Sequence, residues 1–362
     1  MPELLSLHDY ELAAQAALGP AAFDYYAGGA MDEITLRENR AGFDRLRLRP
    51  RVLVDVSCRQ LSTTLLGRSI PFPVLIAPTA LHGLAHPDGE VATARAASAE
   101  GITLVLSTVS NRPLEAVRGA STAPLWFQLY VYRDLELSRE LVQRVEAAGF
   151  DALVLTVDAP VLGQRERDVR HRFHLPPELV LANLPAGLER LPEAPDDSAM
   201  AAHFATMINP ALSWKDLDWL ASISRLPVIV KGVLRADDAR LAVEHGAKAV
   251  IVSNHGGRQL DTAVASIEAL PEIVEAVGDE IELLLDGGVR RGTDIVKALA
   301  LGARAVLLGR PILWGLAVGG EEGVRHVLQI VRSELDRALA LCGCPDVRDL
   351  RRDLVGTVTS ER

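Results

Sequence analysis

The sequence predicts an α/β protein built on a (β/α)8 TIM barrel, with an N-terminal helical extension and a long loop after the fourth strand. Three observations predict this class. Eight short β-prone runs alternate with helix-period segments, polar or glycine residues follow each run, and a length of 362 residues is one that such barrels reach as a single domain. We therefore expect one domain over residues 1–362, with the barrel from about residue 70 to about residue 345.

Each predicted strand is a short apolar run, and the segments between the strands have helical periodicity. In chain order the strands are Val74–Ala77, Thr103–Leu106, Trp126–Leu129, Ala152–Val157, Val228–Lys231, Ala249–Val252, Glu282–Asp286 and Ala305–Leu308. Helices are predicted at 89–100, 137–148, 236–245 and 292–301, and an earlier one follows a capping serine, Ser6. A count of eight strands favours a closed barrel over an open doubly wound sheet.

The stretch from Pro176 to Leu212, between the fourth and fifth strands, has several prolines, mixed charges and no clean period. A connection this long inside a compact domain is typically a lid over a functional site or is partly disordered. It contains no sustained apolar run, so we do not expect it to anchor the protein in a membrane.

Composition excludes several classes of partner. A net charge of -10 disfavours nucleic acid and anionic membrane surfaces, although a local basic pocket for a small anion remains compatible with it. The cysteines Cys58, Cys342 and Cys344 form neither a disulfide framework nor a CxxC metal pair, and the N-terminus has no signal-peptide pattern. We therefore expect a cytoplasmic protein. The histidines lack metal-ligand spacing, and no metal is expected.

Polar or glycine residues occupy the carboxyl end of every predicted strand, which is where active sites of this fold lie. A single such residue is as readily a strand terminator or a helix cap, and this is the simpler interpretation of Thr79 or Ser107 taken alone. Their recurrence at all eight strands predicts a functional rim. The rim residues are Pro78, Thr79, Ser107, Gln128, Tyr130, Thr156, Asp158, Lys231, Ser253, His255, Arg258, Asp286, Gly287, Gly288, Gly309 and Arg310.

The segment from Ser253 to Asp261 sets a histidine and an arginine three residues apart, directly after an apolar run. His255 is an acid/base group that titrates near neutrality, and the guanidinium of Arg258 fits a carboxylate. The alternative is a glycine-rich turn in which His255 caps a helix and Arg258 is solvated. Asp158 either orients His255 and stabilises its protonated form or caps a helix ahead of Pro160.

The loops after the seventh and eighth strands predict a phosphate site. Gly287 and Gly288 allow backbone N–H groups to approach an anion, and Arg290 or Arg310 supplies charge. No GxGxxG follows the first strand, so flavin mononucleotide (FMN) is preferred over a nicotinamide cofactor. Lys231 is then either a Schiff-base nucleophile or, as we prefer, a cation beside the flavin ring.

These motifs resemble the FMN-dependent L-2-hydroxy acid oxidase and dehydrogenase family, which includes glycolate oxidase, lactate oxidase and flavocytochrome b2. The resemblance runs from about Ser6 to about Pro345. The segments that carry it are 24–29, 77–80, 86–90, 128–132, 156–158, 253–261 and 285–292.

The resemblance implies a role for each matching residue. His255 would be the base, with Asp158 supporting it, and Tyr130 would contact the substrate hydroxyl. The substrate carboxylate would be held by Arg258, Tyr25 and Arg165. The flavin ring and ribityl chain would contact Pro78, Thr79, Ala80, Ser107, Gln128, Thr156, Lys231 and Ser253, and the phosphate end would contact Asp286, Gly287, Gly288, Arg290, Gly309 and Arg310.

The family's reaction is oxidation of an L-2-hydroxy acid to a 2-oxo acid, by a hydride or a carbanion route. The chain has Val109 where relatives resembling glycolate oxidase have tryptophan, and Val161 where they often have arginine. Val109 should leave room beside the substrate, which favours L-lactate or larger acids over glycolate. Oxygen is the expected acceptor, giving hydrogen peroxide. The alternatives are a dehydrogenase that uses a quinone or another carrier, a lactate monooxygenase, and a flavin-binding barrel without catalysis. The family also implies a homotetramer.

Overall fold

Eight parallel strands close into a barrel in the computed structural model, which describes residues 4–194 and 196–357. The predicted fold class is therefore confirmed. In chain order the strands are β1 (Leu46–Leu48), β2 (Thr63–Leu65), β3 (Arg68–Ile70), β4 (Val74–Ile76), β5 (Leu104–Ser107), β6 (Leu125–Leu129), β7 (Ala152–Thr156), β8 (Val228–Val233), β9 (Ala249–Val252), β10 (Glu282–Leu285), β11 (Ala305–Leu308) and β12 (Val355–Thr357). Strands β4 to β11 form the barrel in sequence order, and β11 closes it by pairing with β4.

Helices follow or precede the barrel strands as expected for this class. They are α1 (Leu7–Ala17), α2 (Pro20–Ala27), α3 (Ile34–Arg45), α4 (Gly89–Glu100), α5 (Leu114–Gly119), α6 (Leu135–Ala147), α7 (Glu166–Arg170), α8 (Ala199–Met207), α9 (Trp214–Ile223), α10 (Ala236–Glu244), α11 (Ser266–Val277), α12 (Gly292–Ala300) and α13 (Arg310–Cys342). Short 3₁₀ helices lie at His82–Leu84, Val347–Asp349 and Arg352–Leu354. Within the described ranges, no helix combines the length and the apolar composition needed to cross a bilayer.

Apolar side chains fill the barrel, and one end of it is closed. Leu75, Val105 and Val154 belong to an interior cluster that also contains Leu65 and Ile70 of the antiparallel hairpin β2–β3. That hairpin precedes β4, so it lies at the amino ends of the strands. The carboxyl ends are thereby left as the end at which a site is accessible.

Local capping explains where several helices begin. The hydroxyl of Ser6 accepts a hydrogen bond from the Asp9 N–H at 3.2 Å, as the predicted cap requires. Helix α6 begins at Leu135, two residues before the prediction, because the Asp134 carboxylate accepts hydrogen bonds from the N–H groups of Glu136 and Leu137. Terminal differences of this size are ordinary for sequence patterns.

The connection between β7 and β8 is long, as predicted, but it is more regular than the sequence pattern indicated. The expectation of no clean period over Pro176–Leu212 missed α8, which lies inside this stretch. Its sequence is rich in alanine and methionine, both strong helix formers, so a propensity signal was present although amphipathic periodicity was weak. This helix reaches over the carboxyl end of the barrel.

Candidate active site

A cavity opens among the carboxyl ends of the barrel strands. Most of the predicted site residues line it. They are Tyr25, Pro78, Thr79, Ala80, Ser107, Val109, Tyr130, Arg165, Lys231, His255, Arg258, Asp286, Gly287, Gly288, Arg290, Gly309 and Arg310. Gln128, Thr156, Asp158 and Ser253 are not part of this lining; they lie behind it, bonded to or beside residues that are.

His255 and Asp158 form a hydrogen-bonded pair at the rim. The imidazole Nδ1 lies 2.8 Å from Asp158 Oδ1, and Nε2 lies 3.4 Å from the hydroxyl oxygen of Tyr130, which lines the cavity. Since a carboxylate only accepts, Nδ1 donates, and Nε2 of the neutral ring is left to accept a proton. The pair therefore has the geometry of an oriented general base.

The environment keeps this imidazole neutral near pH 7. Burial lowers the pKa of His255, and Lys231 lowers it further; Asp158 opposes both without reversing the shift. Burial alone would raise the pKa of Asp158, but the interaction with His255, which includes its hydrogen bond, and the Lys231 charge outweigh burial, and the pKa is lowered. An ionised carboxylate thus faces a neutral imidazole.

The backbone turn after β9 aims His255 into the cavity. His255 has a φ of +59°, and Gly256 and Gly257 follow with +64° and +74°. A Cβ on Gly257 would lie 2.6 Å from the backbone nitrogen of Leu36, so only glycine fits against α3 at this position. The Ser253 hydroxyl fixes the turn by accepting from the His255 N–H at 3.0 Å.

Two arginines, Arg258 and Arg310, bind the carbonyl groups at the carboxyl end of α2. Arg258 Nη1 donates to the carbonyls of Tyr25 at 2.6 Å and Gly28 at 3.0 Å. Arg310 donates to the carbonyls of Tyr26 at 2.9 Å and Gly28 at 2.8 Å. The last carbonyls of a helix lack intrahelical partners and carry the negative end of its dipole. Two guanidinium groups therefore fasten α2 to the rim.

This attachment brings Tyr25 into the cavity beside both predicted carboxylate-binding arginines. Its ring centroid lies 5.1 Å from Arg258 Cζ, and the ring stacks on Phe173 at 4.3 Å. Arg165 is buried on the same lining; burial, and then the neighbouring Arg258 charge, lower its pKa to about 10, so it stays cationic at neutral pH. This part of the cavity thus brings Arg165 and Arg258 together with Tyr25, Tyr130 and the base His255.

A second cationic region lies at the loops after β10 and β11. Burial lowers the pKa of Arg290 to about 10, and burial with the nearby arginine charges lowers the pKa of Arg310 well below its ordinary value. In the described part of the chain, their side chains donate to backbone carbonyls, such as those of Val289 and Gly256. Two buried guanidinium groups this close together are stabilised by a dianion, and a phosphate supplies one.

Lys231 lies on the wall between these regions. Its Nζ donates to Ser253 Oγ at 3.0 Å and lies 3.2 Å from Asp286 Oδ2. Burial lowers the pKa of Lys231, but Asp286 and Asp158 more than offset it, and the pKa is raised. The structure therefore fixes a cation in the cavity.

Gln128 provides a separate test of the flavin expectation. Its Oε1 accepts from Ser107 Oγ at 3.2 Å and from the Thr108 N–H at 3.3 Å. Its Nε2 is buried and has no hydrogen-bond partner among the described residues. An unused amide donor suits the carbonyl-bearing edge of a flavin, because leaving such a donor unpaired is costly. Together with the phosphate region and Lys231, these residues fit FMN.

Sequence reasoning missed two residues of α8 that line the cavity, Met200 and Phe204. The Phe204 ring packs edge-on against Tyr130 with a centroid distance of 5.0 Å. The sequence also singled out Val161, which is 65% exposed and not on the lining; Leu162 lines the cavity instead. Val109 is buried and does line it.

The chain is similar to known flavin enzymes over nearly its whole length. A model of the FMN-dependent dehydrogenase family matches residues 14–357. An L-lactate oxidase from Nostoc sp. is 58% identical over 352 residues and is covered to 96%, as is this chain. A glycolate oxidase from Spinacia oleracea is 49% identical over 351 residues, covering 97% of this chain and 95% of that protein.

Solved structures agree in fold as well. A crystal structure of mandelate oxidase with (S)-4-hydroxymandelic acid superposes with a TM-score of 0.94 at 43% identity, covering 98% of this chain and 99% of the other. The family match spans the whole barrel and both cationic regions of the cavity. The chain therefore belongs to the FMN-dependent dehydrogenase family, and FMN is its cofactor.

Proposed function

We propose that this protein oxidises a small L-2-hydroxy acid to the 2-oxo acid and passes the electrons to oxygen, giving hydrogen peroxide. L-lactate or a larger acid is preferred over glycolate. The observation that carries the proposal is the His255–Asp158 pair, whose unprotonated Nε2 lies beside Tyr130 in a cavity shared with Arg165 and Arg258. The substrate classes in the names of the relatives support it.

The side chains divide the work of the reaction. Arg258, Arg165 and Tyr25 bind the substrate carboxylate, which orients the carbon bearing the hydroxyl. Tyr130 donates a hydrogen bond to the substrate oxygen, since burial raises the pKa of this phenol and keeps it protonated. His255 takes one proton at Nε2, and Asp158 stabilises the imidazolium that forms.

FMN, when bound, accepts the two electrons removed from the substrate. Oxidation of the alcohol to a carbonyl releases two electrons and two protons, and reduction of one oxygen molecule to hydrogen peroxide consumes both pairs. Lys231 holds a positive charge on the cavity wall, where it stabilises negative charge that develops nearby.

The proposed preference for larger acids rests on Val109. This buried side chain lines the cavity at a position where a tryptophan would fill much more space. Met200 and Phe204 from α8 bound the same cavity, so the space is limited on that side. We infer a pocket that accepts a methyl group or a short chain.

The decisive experiment is anaerobic mixing of the purified protein with a panel of L-2-hydroxy acids while flavin absorbance is followed. We expect bleaching by L-lactate and its longer homologues, then oxygen consumption with stoichiometric peroxide when air is admitted. Absence of bleaching by every acid would refute the proposal. Bleaching without rapid oxygen consumption would indicate a quinone or carrier as the acceptor, and a decarboxylated product would indicate a monooxygenase. Gel filtration would test the homotetramer inferred from the family.

A further inference from the structure

A second cavity, called the side pocket here, is also lined by Arg165. Arg165 and Leu162 line both this side pocket and the main cavity. Asp168 and Ser198, each 2% exposed, also line the side pocket. Arg165 therefore lies between the substrate cavity and a side pocket that contains the buried oxygens of Asp168 and Ser198.

Two buried oxygens in the side pocket are unsatisfied. Asp168 Oδ2 and Ser198 Oγ have no hydrogen-bond partner among the residues that the structure describes. Leaving buried polar atoms unpaired is costly, and a carboxylate oxygen is among the most costly. Asp168 Oδ2 lies 4.0 Å from Arg165 Nη1, which is too far for a direct hydrogen bond but is readily bridged by one water.

Arg165 itself is weakly held. Its Nε donates to the Arg258 carbonyl at a long 3.4 Å, and its side chain also interacts with the Tyr25 hydroxyl. Both its burial and the adjacent Arg258 charge disfavour the guanidinium cation. A buried cation in this position needs a counter-charge and a fixed orientation. Asp168, three residues along at the start of α7, provides a carboxylate within reach.

We propose that Asp168 is a positioning residue for recognition of the substrate carboxylate. Through a water shared with Ser198 in the side pocket, it anchors one edge of the Arg165 guanidinium and leaves the other edge for the main cavity. The inference rests on the proposed function. It adds Asp168, which acts through Arg165, to the residues that determine binding of the substrate carboxylate. Affinity is gained because the guanidinium is oriented before the ligand arrives.

The Asp168 charge has an opposing effect, which is repulsion of the incoming carboxylate. The Arg165 cation lies on the wall between the side pocket and the main cavity, so it offsets that repulsion. Loss of orientation should therefore outweigh loss of repulsion, and removing the Asp168 charge should weaken the binding of carboxylates.

The test uses the FMN-loaded protein and oxalate, a carboxylate with no hydrogen to remove, titrated by calorimetry. Asp168→Asn should raise the Kd for oxalate roughly tenfold, as expected for loss of one charge-assisted contact. Glu166→Gln removes an exposed carboxylate from the same short helix and should leave the Kd unchanged. An unchanged or lower Kd in Asp168→Asn would overturn the inference.

A double-mutant cycle separates positioning from general destabilisation. If Asp168 acts through Arg165, then Asp168→Asn should cost no further affinity in an Arg165→Met background. Losses that add in the double variant would contradict the mechanism. Should Asp168→Asn fail to fold, Ser198→Ala provides the same test, with an expected rise in Kd of roughly threefold; an unchanged Kd would overturn the inference.

The two proposals fail in different ways. Failure of L-lactate and the other acids to bleach the parent protein would refute the proposed function, whatever the oxalate data show. If the parent is bleached and binds oxalate, but Asp168→Asn binds it equally well, only the role of Asp168 is refuted. FMN occupancy and melting temperature, measured on each variant, confirm that the folded holoenzyme is being compared.

Discussion

Asp158 and His255 follow two different strands, β7 and β9, and their side chains meet at 2.8 Å across the rim. The strand between them, β8, carries Lys231, whose charge lowers the pKa of both groups. Gly232 next to Lys231 makes this packing possible, because a Cβ there would lie 2.6 Å from the Asp158 side chain. Three neighbouring strands thus place the ionised carboxylate of Asp158 beside the neutral imidazole of His255.

Replacing His255 with alanine should nearly abolish flavin reduction while FMN stays bound. A positioned general base typically contributes roughly 10²- to 10⁴-fold to the rate. Stopped-flow absorbance with L-lactate under anaerobic conditions measures the loss directly. His174→Ala alters an exposed histidine and should reduce at the parent rate. A His255→Ala protein that matched the parent would show that the base is another group.

The rate of flavin reduction should depend on pH through the same imidazole. The base works only when neutral, so kcat/KM should fall as pH drops through the pKa of His255. Burial places that pKa below its ordinary value of about 6.5, so the profile should be flat at neutral pH and decline only on the acid side.

Asp158→Asn should move the fall of kcat/KM on the acid side to still lower pH. The aspartate is the group that raises the pKa of His255, and removing its charge leaves burial and Lys231 unopposed. The plateau rate should fall as well, since the imidazolium loses its stabilising partner. A shift of this fall toward higher pH would contradict the assignment of Asp158 as the partner of His255. Measurement of kcat/KM for L-lactate between pH 4.5 and 8 in both proteins decides it.

The residues at the carboxyl ends of the barrel strands could be predicted from the sequence, because the strands themselves are visible as short apolar runs. Apolar runs predict the strands, and the fold fixes which end of a strand holds a site, so the sequence alone predicts Lys231 and His255 as site residues. The partners of Arg258 could not be predicted this way. Its contacts with the Tyr25 and Gly28 carbonyls join distant parts of the chain, and no local period encodes them.

The part of the cavity wall formed by α8 could not be predicted from local sequence pattern either. Helix α8 has the composition of a helix former, but nothing in its nine residues specifies that Phe204 packs on Tyr130. In the sequence, Asp168 is likewise no different from any acidic residue in the first turn of a short helix. Its burial beside Arg165 is a tertiary property.

Lys231→Met should slow flavin reduction and weaken FMN retention. The variant removes a buried cation that bonds Ser253 and pairs with Asp286, so it also leaves a carboxylate without its partner. We expect a higher Kd for FMN, measured by ultrafiltration and absorbance. Lys248→Met changes an exposed lysine and serves as the control. A colourless parent protein that is fully active, or one that requires added nicotinamide, would contradict the cofactor role.

Val109→Trp should shift specificity toward glycolate. In the parent, a longer substrate chain can be buried beside Val109, and each buried methylene is worth about 0.8 kcal/mol, or roughly fourfold in kcat/KM. The parent should therefore prefer L-lactate to glycolate, and an indole at this buried position should remove the advantage by filling the space. Val161→Trp adds the same bulk at an exposed position off the cavity and should leave the ratio unchanged. Steady-state kinetics on glycolate, L-lactate and L-2-hydroxyoctanoate test the three proteins together. A parent that already prefers glycolate, with the same ratio in Val109→Trp, would mean that Phe204 and Met200 close the pocket before Val109 is reached.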